Sequence, residues 1–350
     1  MASDLVLVTG AFGLVGSATV DRLVSDGRRV VASDLDTPAN RKAAKQLAGV
    51  VIRWCDLTDP DALDAMLASV SPASIIHLAA VIPPYCYARP ALARKVNVGA
   101  TESLAAAAAR LATPPRFVLA SSIATYGARN PHRVSGVLTA DTPLSPSDNY
   151  GAHKVQAEQA VRDSGLDWVI LRLGGVLTAQ PRLNLEMIYF EGLLPTDGRI
   201  QTVDVRDVAH AFSAATTADV VGETLLIGGD LSHRLAQGDI APATAAAMGL
   251  VGGIPPGRNG DPESIDGWFA TDWIDTSRAQ QAFGFQHHSW LDMLTDMQVR
   301  AGWRRCLLRA AAPAVRALLQ RRSAYHNQPG INADPWRAIA AKWGDPRRES

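Results

Sequence analysis

The first half of the chain alternates short apolar runs with segments of helical spacing. The apolar runs predict six strands at Leu5–Val8, Arg29–Ala32, Val50–Trp54, Ile75–Leu78, Phe117–Ala120 and Trp168–Leu173. Segments between them, such as Ser17–Ser25 and Pro60–Ser69, repeat apolar residues at helical intervals. Strands and helices that alternate in this way predict an α/β protein with a doubly wound parallel sheet.

The regular alternation weakens after Gly174, which predicts a second and smaller part of the chain. Only short elements are indicated there, at Val203–Ala215, Thr224–Ile227, Leu235–Met248 and Thr276–Phe283. We therefore divide the chain into a nucleotide-binding domain over residues 1–173, a smaller C-terminal substrate-binding lobe over residues 174–299 and a C-terminal arm over residues 300–350.

A glycine-rich turn follows the first predicted strand directly. Gly10, Gly13 and Gly16 are spaced G-x-x-G-x-x-G between that strand and a helix. Glycines at such a turn let a pyrophosphate approach the backbone N–H groups of a helix start. Asp34 closes the second strand, where a carboxylate can bind ribose hydroxyls and repel the extra phosphate of NADP, although nearby Asp36 competes for this role. The pattern predicts a dinucleotide site that prefers NAD.

Tyr150 and Lys154 place a phenol and an ammonium four residues apart on one helix face. A free tyrosine has a pKa of about 10. A lysine ammonium and a nicotinamide cation nearby both favour the phenolate, which could remove a proton from an alcohol. Ser122 ends the preceding strand and could hold the substrate oxygen by a hydrogen bond.

These segments together resemble the extended short-chain dehydrogenase/reductase family, which includes the NAD-dependent epimerases and dehydratases. The matching segments are Thr9–Gly16, Asp56-Leu57, His77–Ala80, Val96–Thr101, Ser121–Gly127, Tyr150-x-x-x-Lys154, Leu171–Leu173 and Val203–Ala209. The resemblance implies a Rossmann sheet and the catalytic residues Ser122, Tyr150, Lys154 and Asn97. It implies that NAD is bound by Gly10, Phe12, Gly13, Leu14, Asp34, Asp56, Leu57, Ala79, Tyr150 and Lys154. An aspartate at position 56 could equally cap the helix that follows.

The substrate side departs from the sugar-nucleotide members of that family. They carry an asparagine just after the sixth strand, where this chain has Gly174-Gly175, and a phosphate-binding arginine that aligns with Ile200, next to Arg199. Arg258-x-x-Asp261 only partly matches a second such arginine. We therefore expect an NAD-dependent oxidoreductase that acts on a small, uncharged alcohol or ketone. A sugar-nucleotide epimerase or dehydratase with tightly bound NAD is the alternative, and a non-catalytic NAD-binding scaffold is the third reading.

Composition excludes several other classes of protein. Lys+Arg and Asp+Glu both total 34, so overall charge predicts no nucleic-acid binding. Three cysteines without CxxC spacing predict neither a disulfide framework nor a metal site. Strand residues begin by Leu5, leaving no room for a signal peptide, and no apolar run reaches membrane-spanning length. We expect a soluble, cytoplasmic protein.

The C-terminal arm differs from the rest of the chain in charge. Residues 300–350 contain 11 basic and 3 acidic residues, so the preceding body is acidic. Gly302–Arg322 predicts a basic amphipathic helix that suits a membrane surface or docking on the acidic body, and we favour docking. Alanines at Ala105–Ala109 and the helix after Tyr150 offer surfaces for a helix-mediated contact, and the resembled family often dimerises through these helices. We expect a homodimer.

Overall fold

A computed structural model describes residues 4–47, 49–180 and 184–347. The predicted domain ranges also include residues 1–3, 48, 181–183 and 348–350, which lie outside the described residues.

The described chain forms strands and helices that alternate through its first half, as predicted. The strands are β1 (Leu5–Thr9), β2 (Arg29–Asp34), β3 (Val51–Trp54), β4 (Ser74–His77), β5 (Arg116–Ser122), β6 (Trp168–Leu173), β7 (Gly175–Leu177), β8 (Arg199–Asp204), β9 (Glu223–Ile227) and β10 (Arg234–Ala236). The helices are α1 (Leu14–Ser25), α2 (Pro38–Ala44), α3 (Pro60–Val70), α4 (Tyr85–Ala88), α5 (Pro90–Arg94), α6 (Ala100–Ala109), α7 (Asn149–Arg162), α8 (Leu185–Glu191), α9 (Val205–Ala215), α10 (Gln237–Met248), α11 (Ser277–Phe283), α12 (Trp290–Ala301), α13 (Arg304–Arg322) and α14 (Pro335–Trp343). A π-helical segment, Lys95–Gly99, and two 3₁₀ turns, Ile123–Tyr126 and Leu231–His233, complete the regular elements of the described residues.

Seven parallel strands form the main sheet in the order β3-β2-β1-β4-β5-β6-β9. This is the doubly wound arrangement that the alternating pattern predicts. The sheet crosses the predicted domain boundary at Leu173, because β9 hydrogen-bonds to β6 along Val169–Leu173. The division into a domain and a lobe stays a prediction.

A second sheet of three short strands, β10-β8-β7, lies in the later part of the chain. Its strands have three to six residues each, too few for a periodic pattern to identify. The predicted helix at Val203–Ala215 begins instead at Val205, because Asp204 ends β8 and caps α9 by accepting a hydrogen bond from the Arg206 N–H.

Two apolar layers cover the two faces of the main sheet. One layer packs α1 and α9 against Val6, Val8 and their neighbours, and the other packs α3, α6 and α7 against Leu7, Ile75 and their neighbours. Adjacent strand residues thus face opposite layers, as expected for parallel strands buried on both sides. Helices α6 and α7 lie side by side, and Ala106 on α6 is exposed. The predicted homodimer stays a prediction.

A buried carboxylate ties α7 to the centre of the sheet. Glu158 is 0% exposed and accepts hydrogen bonds from Ser121 Oγ at 2.6 Å and from Arg172 Nε at 2.8 Å and Nη2 at 2.6 Å. Burial alone would raise the pKa of Glu158, but the hydrogen bonds and charge of Arg172, with the Ser121 bond, outweigh it and hold that pKa below its ordinary value. Since Ser121 lies in β5 and Arg172 in β6, the contact fixes α7 relative to both strands.

Replacing Glu158 with Gln should destabilise the protein by about 3 kcal/mol, because it leaves the Arg172 charge buried without its partner. The folded-state pKa of Glu158 lies below the unfolded one, so its stabilisation is present at neutral pH and fades as pH falls through the folded value. The stability difference between wild type and Glu158→Gln should therefore shrink in acid. Urea unfolding at several pH values measures it. Glu102→Gln, an exposed change on α6, is the control, and equal stability of both variants at pH 7 would contradict the role of the pair.

Candidate active site

The carboxyl ends of the parallel strands bring the predicted site residues to one edge of the sheet. Gly10 follows β1, Asp34 ends β2, Asp56 follows β3, Ala79 follows β4 and Ser122 ends β5. The chain reverses its strand order beside β1, between β1 and β4, which is where ligands bind in open α/β sheets.

The cofactor loop has the shape that a dinucleotide needs. Gly10 has a φ of 67°, and a Cβ atom there would lie 2.6 Å from the Ala79 backbone nitrogen, so only glycine fits. Gly13 caps α1 without a side-chain hydrogen bond, and the first turn of α1 has no acidic residue. The first N–H groups of α1 are thus available to a pyrophosphate. Leu14 is exposed on the wall of the adjoining cleft.

Asp34 is positioned by the same loop. Its Oδ2 accepts a hydrogen bond from the Phe12 N–H at 3.0 Å, and its Oδ1 accepts one from the Leu35 N–H. Asp36, the competing acid, pairs with Arg41 on the surface. The structure therefore places Asp34, rather than Asp36, against the cofactor loop.

Three more predicted cofactor residues are Phe12, in the cofactor loop, and Asp56 and Leu57, which follow β3. Phe12 packs on Trp54 with ring centroids 5.5 Å apart, and Leu57 is buried. Asp56 accepts hydrogen bonds from the Thr58 N–H and hydroxyl at 2.9 and 2.8 Å. Asp59, and not Asp56, caps α3, so the capping interpretation of Asp56 is wrong. Its contact with adenine stays a prediction.

Ser122, Tyr150 and Lys154 come together where β5 meets α7. The Tyr150 hydroxyl lies within hydrogen-bonding reach of the Ser122 side chain. Lys154 is 5% exposed, donates from Nζ to the Ala120 carbonyl at 2.8 Å and lies 5.8 Å from the centre of the Tyr150 ring. The three side chains thus have the arrangement expected of a proton carrier, a hydrogen-bond donor and a nearby cation.

The predicted lowering of the Tyr150 pKa is not produced by the chain itself. Burial raises the pKa of Tyr150 well above its ordinary value; Cys86 and Asp148 act in the same direction, and the hydrogen bond with Ser122 opposes them. Burial also lowers the pKa of Lys154 to about 8, against the opposing charge of Glu158. The expectation counted the nicotinamide cation as well as Lys154, and burial penalises the phenolate when that second charge is not present. Tyr150 therefore holds its proton until positive charge comes closer.

Asp148 is a site residue that the sequence analysis missed. It caps α7 by accepting from the Gly151 N–H at 2.8 Å, and its other oxygen accepts from the Tyr87 hydroxyl. An aspartate just before a helix of this kind is an N-cap signal, which could have identified it. Gly151 itself permits the close packing, because a Cβ atom there would lie 2.4 Å from the Ala124 carbonyl oxygen. Together these contacts bring the start of α7, and hence Tyr150, against the turn after Ser122.

Asn97 has a different geometry from the one its predicted role suggests. It is 2% exposed in the π-helical segment, its Nδ2 donates to the Val81 carbonyl at 2.9 Å, and its Oδ1 accepts from the Val81 N–H at 2.7 Å. The side chain therefore fixes the loop after β4. A part for Asn97 in a proton path stays a prediction.

The C-terminal arm packs beside Tyr150. The Asn149 N–H, one residue before Tyr150, donates to the Pro346 carbonyl at 2.8 Å. Trp336, in α14, packs on Phe269 with ring centroids 5.3 Å apart, and Trp343 packs on Phe190 at 5.9 Å. Residues 323–347 thus contact the body, in part through helix α14, which was not predicted. The docking expected of Gly302–Arg322 stays a prediction.

The candidate phosphate-binding arginines are both engaged within the chain. Arg199 forms an ion pair with the buried Asp272 at 2.7 Å. Arg258 donates to the carbonyls of Tyr325, Gln328 and Pro329 in the arm and stacks on the Tyr325 ring at 4.8 Å. Ile200, at the aligned position, is buried.

A cleft of about 2420 Å³ runs from the cofactor loop along the later part of the chain. Phe12, Gly13 and Leu14 line its start, and side chains of α8, α10 and α13 line its far side. Its volume exceeds that of an ordinary single-ligand pocket, but within the described residues Ser122, Tyr150 and Lys154 do not line it, so the cleft adjoins the cofactor loop rather than the catalytic groups. Within the described residues, no group of three His, Cys, Asp or Glu side chains is placed to hold a metal ion.

Comparisons with known proteins point to one family. A family model described as the NAD dependent epimerase/dehydratase family matches residues 6–228. The UDP-glucose 4-epimerase of Azospirillum brasilense is 32% identical over 185 residues, which make up 51% of this chain and 51% of that protein. The chain thus spans about half the length of the curated relatives it matches.

Solved structures show the same fold along most of the chain. The UDP-glucose 4-epimerase of Thermotoga maritima, solved with UDP-glucose, has a TM-score of 0.69 at 19% identity and covers 87% of this chain and 99% of its own. The UDP-glucuronic acid 4-epimerase of Bacillus cereus, solved with UDP-glucuronic acid and NAD, has a TM-score of 0.64 at 21% identity and covers 85% and 98%. The predicted Rossmann fold is confirmed.

Cofactor preference tests the position of Asp34. NAD should bind more tightly than NADP, and Asp34→Ser should reduce that preference at least tenfold because it removes the carboxylate that repels the 2′-phosphate; a tenfold change corresponds to about 1.4 kcal/mol. Calorimetric titration of both dinucleotides measures the ratio. Asp36→Ser is the matched control and should leave the preference unchanged. Equal affinity of the wild-type protein for both dinucleotides would refute the assignment.

Removal of residues 323–350 tests the docking of the arm. The truncated protein should melt at a lower temperature, because the surface around Phe190 and Phe269 becomes exposed, and its turnover should fall, because Asn149 loses its partner. Calorimetry and a turnover assay measure both. Ile331→Ser, at an exposed position of the arm, should change neither. A truncated protein with the melting temperature and turnover of the full chain would show that the arm is not part of the site.

Proposed function

The chain belongs to the NAD-dependent epimerase/dehydratase family, and we propose that it is a nucleotide-sugar epimerase that oxidises and re-reduces one carbinol carbon of its substrate. The observation that carries this proposal is the juxtaposition of Ser122, Tyr150 and Lys154 at the sheet edge that also holds the cofactor loop. The family and its relatives favour this alternative over net oxidation of a small alcohol, the reaction expected from the sequence.

The cofactor loop and Asp34 would hold NAD, which would supply a reversible hydride acceptor for the carbinol carbon of the substrate. Tyr150 takes the hydroxyl proton as the hydride departs and gives it back as the hydride returns, so no net proton or electron is exchanged. Ser122 donates a hydrogen bond to the substrate oxygen as charge develops on it. Lys154 supplies positive charge near the phenol, and its pKa of about 8 leaves it mostly charged at neutral pH.

Epimerisation suits this site better than dehydration does. Loss of water requires a further acid or base to remove a proton from the adjacent carbon and to protonate the departing hydroxyl. The residues after Ser122 are Ile123 and Ala124, which can do neither. Asp148, the carboxylate that caps α7 two residues before Tyr150, already accepts hydrogen bonds from the Gly151 N–H and the Tyr87 hydroxyl. One proton carrier is enough for epimerisation.

A specific observation also supports net oxidation of a less polar alcohol as a second candidate. Arg199 and Arg258, the two arginines nearest the positions expected to bind a diphosphate, are held by Asp272 and by arm carbonyls. A diphosphate would have to displace these partners.

Incubation with UDP-sugars tests the proposal. Purified protein should interconvert a UDP-sugar with its epimer without net NADH formation, as followed by NMR and by absorbance. Tyr150→Phe should slow this conversion by at least about 100-fold, because general acid–base catalysis by one group contributes 10²–10⁴-fold. Bound NAD should be unchanged. Glu102→Gln, an exposed change on α6, is the control and should convert the UDP-sugar like the wild-type protein.

Two outcomes would contradict the proposal. Near-normal conversion by Tyr150→Phe would mean that another group carries the proton. Stoichiometric NADH formation from a simple alcohol, with no conversion of any UDP-sugar, would establish the second candidate instead.

A further inference from the structure

The helix α13 carries apolar side chains on two opposite faces. Ala312 is 3% exposed, and Leu308 and Leu319 line the cleft. On the other side, Trp303 just before the helix is 73% exposed and Leu307 is 61% exposed. The amphipathic pattern predicted for Gly302–Arg322 thus divides into a packed face and a free face.

The free face forms a continuous line along the helix. Trp303, Leu307, Ala310, Ala314 and Leu318, which we call the exposed stripe, are spaced three or four residues apart and are all exposed. Residues at these intervals share one side of a helix. Val299, 75% exposed at the end of α12, extends the apolar surface beyond Trp303.

Arginines flank the exposed stripe on both sides. The range 304–322 contains six arginines and no acidic residue. The exposed face also includes Cys306, Pro313 and Ala317. Helical spacing places Arg304 and Arg322 at one edge of this wider face and Arg309 and Arg316 at the other, with Arg321 in line with the stripe. Arg316 also donates to the Gly252 carbonyl at 3.2 Å. In the described chain, no ion pair involves an arginine of α13. On neighbouring α12, Asp292 accepts hydrogen bonds from Ser289 and Asp296 pairs with Arg206.

We propose that α13 binds an anionic membrane surface with the exposed stripe in the headgroup region and the flanking arginines against lipid phosphates. A helix with an apolar face bordered by arginines is typical of helices that bind at the boundary between lipid headgroups and acyl chains. The attachment is peripheral, since no helix of the described residues is long and apolar enough to cross a bilayer.

The alternative occupants fit this face less well. Docking of the arginines on the acidic body was our expectation, but the body offers them no ion pair in the structure. A second copy of the chain is disfavoured by area. A helix of 19 residues is about 28 Å long and about 10 Å wide, so one face offers roughly 300 Å². A stable interface buries about 800 Å² per partner. A membrane needs no such complementary surface.

Vesicle cosedimentation of the full-length protein tests the proposal. The protein should sediment with vesicles of phosphatidylcholine and phosphatidylglycerol but not with phosphatidylcholine alone, and added salt should release it. Each arginine near an anionic surface contributes about 1 kcal/mol, so Arg309→Gln should weaken the partition coefficient about fivefold. Trp303→Ser should weaken it at least as much, because it removes the largest side chain of the stripe.

Matched variants outside the helix are the controls. Arg337→Gln, exposed on α14, and Ile331→Ser, exposed in the loop before it, should bind vesicles like the wild-type protein. Cosedimentation that is absent, or equally strong in Trp303→Ser and Arg309→Gln, would overturn the proposal. A dimer mass in light scattering that Trp303→Ser converts to a monomer mass would overturn it as well, since a second copy would then cover the stripe.

Discussion

The geometry of the candidate site depends on one buried carboxylate. Glu158 joins α7 to β5 through Ser121 and to β6 through Arg172, with every side chain in the contact nearly inaccessible to solvent. Lys154 lies one turn and Tyr150 two turns before Glu158 on the same face of α7. A shift of this carboxylate would therefore move the phenol relative to Ser122. The ion pair holds the reacting groups in register, which in a dry interior matters more than any stability it adds.

Much of the main sheet could be predicted because parallel strands are buried on both faces. Runs such as Leu5–Val8 and Phe117–Ala120 are continuously apolar for that reason. Short motifs then located Gly10, Asp34 and Ser122, because residues at the ends of parallel strands meet at one edge. Helix α14 was not predicted, although Asp334 and Pro335 are helix-start signals and Trp336, Ile339, Ala340 and Trp343 recur at helical spacing. The two faces of α13 were merged because periodicity identifies apolar positions but not which of them another element covers.

On the substrate side, contacts with residues far away in sequence change how the arginine motif at Arg258 is interpreted. Arg258-x-x-Asp261 matches a family pattern only in part, and nothing near it in sequence indicates a partner. In the structure the guanidinium bonds to three carbonyls of the arm, 67 to 71 residues later. The arm therefore occupies the donors that a diphosphate would use, and it also reaches Asn149 beside Tyr150. One segment thus contacts both Arg258, on the candidate phosphate side, and Asn149, the residue before Tyr150.

Burial away from solvent also determines which protonation states Tyr150 and Lys154 favour. Burial raises the pKa of Tyr150 and lowers that of Lys154 to about 8, so in both groups it favours the neutral form. The Lys154 ammonium also points at the Ala120 carbonyl rather than at the phenol oxygen. The chain alone therefore does not make Tyr150 a base. Additional positive charge near the phenol must do so, and a cationic dinucleotide is the group that the adjoining glycine loop is shaped to bind. Proton removal is in this way coupled to occupancy of the cofactor loop, which would keep the tyrosine from acting as a base before the cofactor is bound.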